Sequence, residues 1–130
     1  MTMTLNAGFV YGSEDEDAVI VGFADQEYYT HKYVLLQRSR QVSAEEETLG
    51  QGEVHIAIND ERCSAYGAVE RIVLSESQVT IRLNVGVAAS IGVDDQIAIC
   101  FAAEAVDLMR LQADLKLLCS HRTGLLKECA

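Results

Sequence analysis

The chain has 130 residues, of which 49% are hydrophobic and 23% charged, and carries a net charge of −10. That length suits a single domain, residues 1–130, able to bury roughly two-thirds of its unfolded surface, and no apolar run approaches the ~18 residues of a membrane-spanning helix. With 10 Lys and Arg against 20 Asp and Glu, nucleic acid is excluded as a partner, because binding a polyanion rests on clustered bases.

In chain order, Leu5, Ala7, Phe9 and Tyr11 alternate with Asn6, Gly8 and Val10 at the period of a strand. Gly12 and Ser13 open a loop that holds the first acidic run, Glu14, Asp15, Glu16 and Asp17. Ala18 to Ala24 reads as a second strand paired with the first, and Tyr28 to Arg38 as a third. The centre of that third strand, Tyr33-Val34-Leu35-Leu36, is apolar on both faces, the pattern of a central strand.

Residues 41–52 hold a second acidic run, Glu45, Glu46 and Glu47, in a long exposed loop with room for a helical turn at Ala44 to Glu47. The runs make the charge uneven: residues 1–61 carry 12 acids against Lys32, Arg38 and Arg40, while residues 62–130 carry 8 acids and 7 bases. Such a concentration of negative potential steers a basic partner toward the N-terminal half.

Val54, Ile56 and Ile58 alternate up to the turn signal Asn59-Asp60, and Arg62 to Tyr66 completes a hairpin. Ile72 and Leu74, the turn Ser75-Glu76-Ser77-Gln78, and the clean alternation Val79, Ile81, Leu83 predict a second hairpin. Residues 84–93 are small and glycine-containing and read as a flexible connection. Ile97, Ile99 and Phe101 mark a last strand. From Glu104 the period changes: Ala105, Leu108, Leu111, Leu115 and Leu118, widened by Val106, Met109 and Cys119, predict one amphipathic helix. The fold class is therefore α+β, an antiparallel sheet of six to eight strands with one C-terminal amphipathic helix packed on it.

The residues name no reaction. There is no nucleophile elbow, and the glycines at 86 and 92 lack the Lys-Ser or Lys-Thr of a phosphate loop. Residues 14–17 are contiguous rather than spaced like a calcium loop, so neither a metal nor another cofactor is expected. His31, His55 and His121 read as solvated or edge residues. Cys63, Cys100, Cys119 and Cys129 form no C-x-x-C pair and read as reduced, packed side chains, with Cys129 the most exposed thiol. The N-terminal residues show no secretory signal, which points to the cytoplasm.

Two stretches carry a family likeness. Tyr33-Val34-Leu35-Leu36-Gln37-Arg38-Ser39, and residues 64–74 with the strand Val79 to Leu83, resemble the "Y-hydrophobic-LQR" strand and the "YGG-I-hydrophobic-L" hairpin of the immunity protein 10 family. Residues 95–118, a strand followed by a leucine-spaced helix, resemble that family's ending, and Ala68 stands where the second glycine of the hairpin motif falls. The resemblance implies a bacterial cytoplasmic protein, without catalytic residues, that binds the domain of a polymorphic toxin encoded beside it and blocks it.

Under that reading the toxin contacts are Glu14, Asp15, Glu16, Asp17, Asp25, Glu27, Tyr28, Tyr29, Glu45, Glu46 and Glu47. The acids serve either contact or solvation, and Tyr28 and Tyr29 either anchor an interface or pack inward at the start of the third strand. Arg38 is expected to be structural, pairing with a carboxylate at the strand end, and Tyr66-Gly67 to mark a bend in the sheet. A self-associating module, including a homodimer, and a small enzyme with a dispersed site are the rival readings.

Overall fold

Most alternating segments become strands that turn their apolar positions toward one interior, but in the first of them the inward side changes after Ala7, so that Val10 rather than Phe9 or Tyr11 packs on the core. A computed structural model of the chain describes residues 2–102 and 106–128. Along them run β1 (Thr2–Asn6), β2 (Phe9–Glu14), β3 (Ala18–Ala24), β4 (Tyr33–Ser39), α1 (Ala44–Thr48), β5 (His55–Ile58), β6 (Asp60–Tyr66) and β7 (Val69–Leu74). There follow β8 (Gln78–Leu83), α2 (Val85–Ile91), β9 (Gln96–Cys100), α3 (Leu108–Leu118) and β10 (Leu126–Glu128).

The class is α+β, as the sequence indicates, but the strands divide between two five-stranded sheets. One, ordered β2-β3-β4-β5-β6, is antiparallel throughout. The other, ordered β1-β9-β8-β7-β10, is mixed: β1 runs parallel to β9 and β10 parallel to β7. A period of two reveals which side of a strand faces the core, not its partner or direction. The expected strand from Leu5 to Tyr11 therefore proves to be the junction of the sheets. Ala7 N donates to Cys100 O at 2.8 Å and Gly8 N to Ala24 O at 3.0 Å, so the chain changes sheets between neighbouring residues.

Both inner faces belong to one buried cluster. Met3 and Leu5 stand beside Ile97 and Ile99 in the mixed sheet, and Val21 and Phe23 beside Leu36 and Val34 in the antiparallel sheet. Leu111, Leu115 and Leu118 of α3 join them. Each large side chain fully buried there contributes roughly 1.5–3 kcal/mol.

Asp107 caps α3, its carboxylate accepting from Arg110 N at 3.1 Å. Met109, expected in the buried stripe, is 82% exposed, because it lies off the 111-115-118 face. Glu104, Ala105 and Cys129 lie outside the described residues. The helix approaches the antiparallel sheet closely at Gly12, whose carbonyl accepts from Arg110 Nη2 at 2.9 Å and whose missing Cβ leaves room for the Asp114 carboxylate. Burial raises the pKa of Asp114, against the neighbouring Arg110 charge, 3.7 Å away, that lowers it.

The far end of α3 is held by Arg38. Its Nε donates to Leu118 O at 2.7 Å and its Nη2 to Leu117 O at 2.9 Å and to Ser120 Oγ at 3.1 Å. Arg38 is structural, as expected, but its partners are the last helix carbonyls, which have no intrahelical donor, rather than a carboxylate. The segment 84–93, expected to be a flexible connection, contains α2: Asn84 Oδ1 accepts from Val87 N at 3.1 Å and Gly92 ends the helix at φ 75°. The two glycines at 86 and 92 hid a helix capped at both ends. No helix among the described residues is long and apolar enough to cross a membrane.

Candidate protein-binding face

Each sheet turns one face to the core and one outward, and the outward faces differ in chemistry. On the mixed sheet, successive rungs read Thr2, Gln96, Arg82 and Arg71, then Thr4, Ala98, Thr80, Val73 and Lys127. It is a polar face with three cations.

The outward rungs of the antiparallel sheet read Phe9, Ala24 and Tyr33; then Tyr11, Gly22, Leu35, Ala57 and Ser64; then Ser13, Ile20, Gln37, His55 and Tyr66. No Asp, Glu, Lys or Arg stands among them. Tyr11 and Tyr66 are each 47% exposed, and Phe9, Ile20, Tyr33 and Leu35 are half-buried. The His55 ring meets Tyr66 with centroids 4.7 Å apart, and its Nδ1 lies 3.3 Å from Gln37 Nε2. Burial lowers the His55 pKa, which keeps the ring neutral near pH 7.

This face accounts for the two-sided apolar pattern of β4. Val34 and Leu36 are buried in the core, whereas Tyr33 and Leu35 face outward and are half-covered by their own neighbours. The sequence signal of a central strand was correct, but no second layer among the described residues closes over it.

Acidic segments stand at both ends of the face. At one end the β2–β3 turn carries residues 14–17, and Arg40 and Gln41 bind it to the start of the segment containing α1. Arg40 Nη1 donates to Asp15 O at 2.8 Å and lies 3.6 Å from the Glu14 carboxylate. Asp15 Oδ1 accepts from Ala18 N and Asp17 N, and these two bonds hold its pKa below the usual carboxylate value. Glu45, Glu46 and Glu47 form the first turn of α1, where a capping box occupies Glu46 with Ser43. Among the described residues, Glu16, Asp17, Glu45 and Glu47 hold no ion pair, so their charges face solvent.

At the opposite end, residues 25–32 make an ordered loop around Asp25. Its Oδ1 accepts from the backbone N–H groups of Gln26, His31 and Lys32 at 3.0, 3.1 and 3.3 Å. Burial raises the Asp25 pKa, and the N–H donors of Lys32, His31 and Gln26 outweigh it and bring it below the usual value. Tyr28 and Tyr29, expected either as anchors or as inward-packing residues, are 72% and 90% exposed in this loop, because β4 starts only at Tyr33. Tyr29 holds φ 56°, a left-handed conformation that costs a non-glycine residue about 1 kcal/mol or more.

The expected site residues are therefore divided. Glu14, Asp15, Glu16, Asp17, Glu45, Glu46 and Glu47 come together at one end, and Asp25, Glu27, Tyr28 and Tyr29 at the other. The residues between them, above all Tyr11, Leu35, His55 and Tyr66, were missed; their signal was the second apolar face of β4. A groove of about 290 Å3 lies between the Phe9 end of the face and the loop, lined by Tyr11, Tyr33, Leu35, Gln26, Glu27 and Thr30.

Residues 4–109 match the family model described as Immunity protein 10, a stretch from β1 to the start of α3 that includes strands of both sheets. The chain belongs to that family. As a member of the immunity protein 10 family it is an immunity protein, and the "LQR" of the family-like strand includes the arginine that caps α3. No curated protein matches the chain.

Proposed function

We propose that this immunity protein acts in the bacterial cytoplasm by binding a cognate toxin domain of basic surface and holding it inactive, as a stoichiometric inhibitor rather than a catalyst. The observation that carries the reading is the family match over residues 4–109. The distribution of charge supports its electrostatic part: acids stand at both ends of one sheet, most of them at the end with residues 14–17 and 45–47, where they accelerate encounter with a basic protein and set its orientation.

The contacts proposed are Glu14, Asp15, Glu16, Asp17, Glu45, Glu46 and Glu47 at one end and Asp25, Glu27, Tyr28 and Tyr29 at the other. The test is copurification with the toxin domain encoded by the neighbouring gene, followed by association rates at low and high salt. Changing residues 14–17 and 45–47 together to Asn, Gln or Ser should slow association at low salt by about tenfold or more. Unchanged rates at low salt would remove the electrostatic part while leaving the family membership intact.

A further inference from the structure

We propose that the outward face of the antiparallel sheet is the centre of the toxin-docking surface, and that it takes a cationic protein surface whose guanidinium or ammonium groups surround an apolar patch. This deepens the reading of the chain as a toxin-binding immunity protein and rests on it. Three features select this face. Its centre is aromatic and aliphatic without a formal charge, with Tyr11 and Tyr66 standing out by nearly half their area on either side of Leu35.

Its two ends carry acids, so a basic surface that spans the face meets negative charge at both. The opposite face of the molecule carries Arg71, Arg82 and Lys127 and repels the same partner. Charge thus favours one docking side and disfavours the other.

Size explains why the ends must take part. Five strands about 4.8 Å apart and about six residues long make a face of roughly 20 by 20 Å, or about 400 Å2. A stable interface needs about 800 Å2 on each partner. The β2–β3 turn, α1 and the 25–32 loop flank the face and extend it toward that area.

The chemistry of the centre suits cations with apolar stems. Tyrosine rings attract guanidinium groups over their faces, and Tyr and Arg are the commonest anchors of protein interfaces. The groove beside Tyr33 has room for one long side chain, with Glu27 on its rim to meet the charged head.

The experiment uses the full chain and the purified toxin domain encoded by the neighbouring gene. Tyr11→Ser and Tyr66→Ser should each weaken binding by about 10- to 30-fold, mainly through faster dissociation, and the double variant by more. Arg71→Ser with Arg82→Ser, on the opposite face, should leave affinity within about threefold of the parent chain. Thermal melting of every variant verifies the fold, and these side chains are outside the core. An unchanged affinity in the folded double tyrosine variant overturns the docking face while leaving the toxin reading in place. Failure of the parent chain to bind the toxin domain overturns both. A parent chain that sediments as a dimer, which Tyr66→Ser dissolves, assigns the face to a second copy and overturns the toxin-docking proposal.

Discussion

The two sheets of this protein have the same inner chemistry and opposite outer chemistry. Inside, β3 and β4 present Val21, Phe23, Val34 and Leu36, and β8 and β9 present Val79, Ile81, Ile97 and Ile99, all buried. Outside, one sheet shows threonine, glutamine and arginine and the other tyrosine, leucine and isoleucine. Core burial explains the inner residues equally well in both cases. It does not explain why one outer face is polar and the other apolar, and an exposed apolar patch between charged rims is the usual mark of an interaction site.

The largest effects should appear where the sheets agree. Phe23→Ala and Ile81→Ala should each cost about 3–4 kcal/mol in denaturant unfolding, since both leave cavities in the same core, whereas Tyr66→Ala and Arg82→Ala should each stay within about 0.5 kcal/mol. A loss of 2 kcal/mol or more for Tyr66→Ala would mean that the aromatic face serves folding rather than binding.

Next in size is Arg38→Ala, which strips the carbonyls of Leu117 and Leu118 of charged donors. A loss of about 2 kcal/mol is expected, with Arg38→Lys restoring only part of it because a single ammonium cannot reproduce the fork of bonds. Equal stability of the Ala and Lys variants would show that the guanidinium geometry is unimportant there.

A smaller change distinguishes the exposed loop from the sheets. Tyr29→Gly relieves the left-handed backbone at Tyr29 but adds freedom to the unfolded chain. The net stability change should be within about 0.5 kcal/mol, with toxin affinity weakened; a gain in both would show that Tyr29 is no anchor.

The smallest effect is electrostatic. Asp60, at the same end of the antiparallel sheet, is held down to about 2 by hydrogen bonds and charge from Arg62. A carboxylate with a lowered folded pKa adds stability above its unfolded value of 3.8, and that share is lost as pH falls toward 2. Arg62→Ala should therefore flatten the acid limb of a stability profile between those pH values and leave pH 7 to 8 nearly parallel to the parent. In the same chemical spirit, burial pushes the Cys119 thiol up to about 12, so alkylation at pH 8 should reach Cys119 only after unfolding.

Much of the fold is legible in short stretches. The hairpins β5–β6 and β7–β8, the turn of helix at α1 and the leucine spacing of α3 follow from local periods and turn residues, because each depends on neighbours close in sequence. The acidic ends of the candidate face were legible too, since a charge run stays at the surface in almost any fold. The tyrosine and leucine centre was not. Tyr33 and Leu35 alternate with Val34 and Leu36, and an apolar residue reads the same whether a second layer covers it or not.

By itself, then, the sequence determined the α+β class, the inward side of cleanly alternating strands such as β8 and β9, and the excess of acid in the N-terminal half, all through local pattern and composition. The tertiary structure alone decided that the strands split into two sheets, that β1 and β10 join by parallel pairing with distant segments, and that Arg38 closes a helix nearly 80 residues away. It also decided that the acids bracket an aromatic face. Pairings between remote segments depend on which surfaces meet after the chain has folded, and no local period records that meeting.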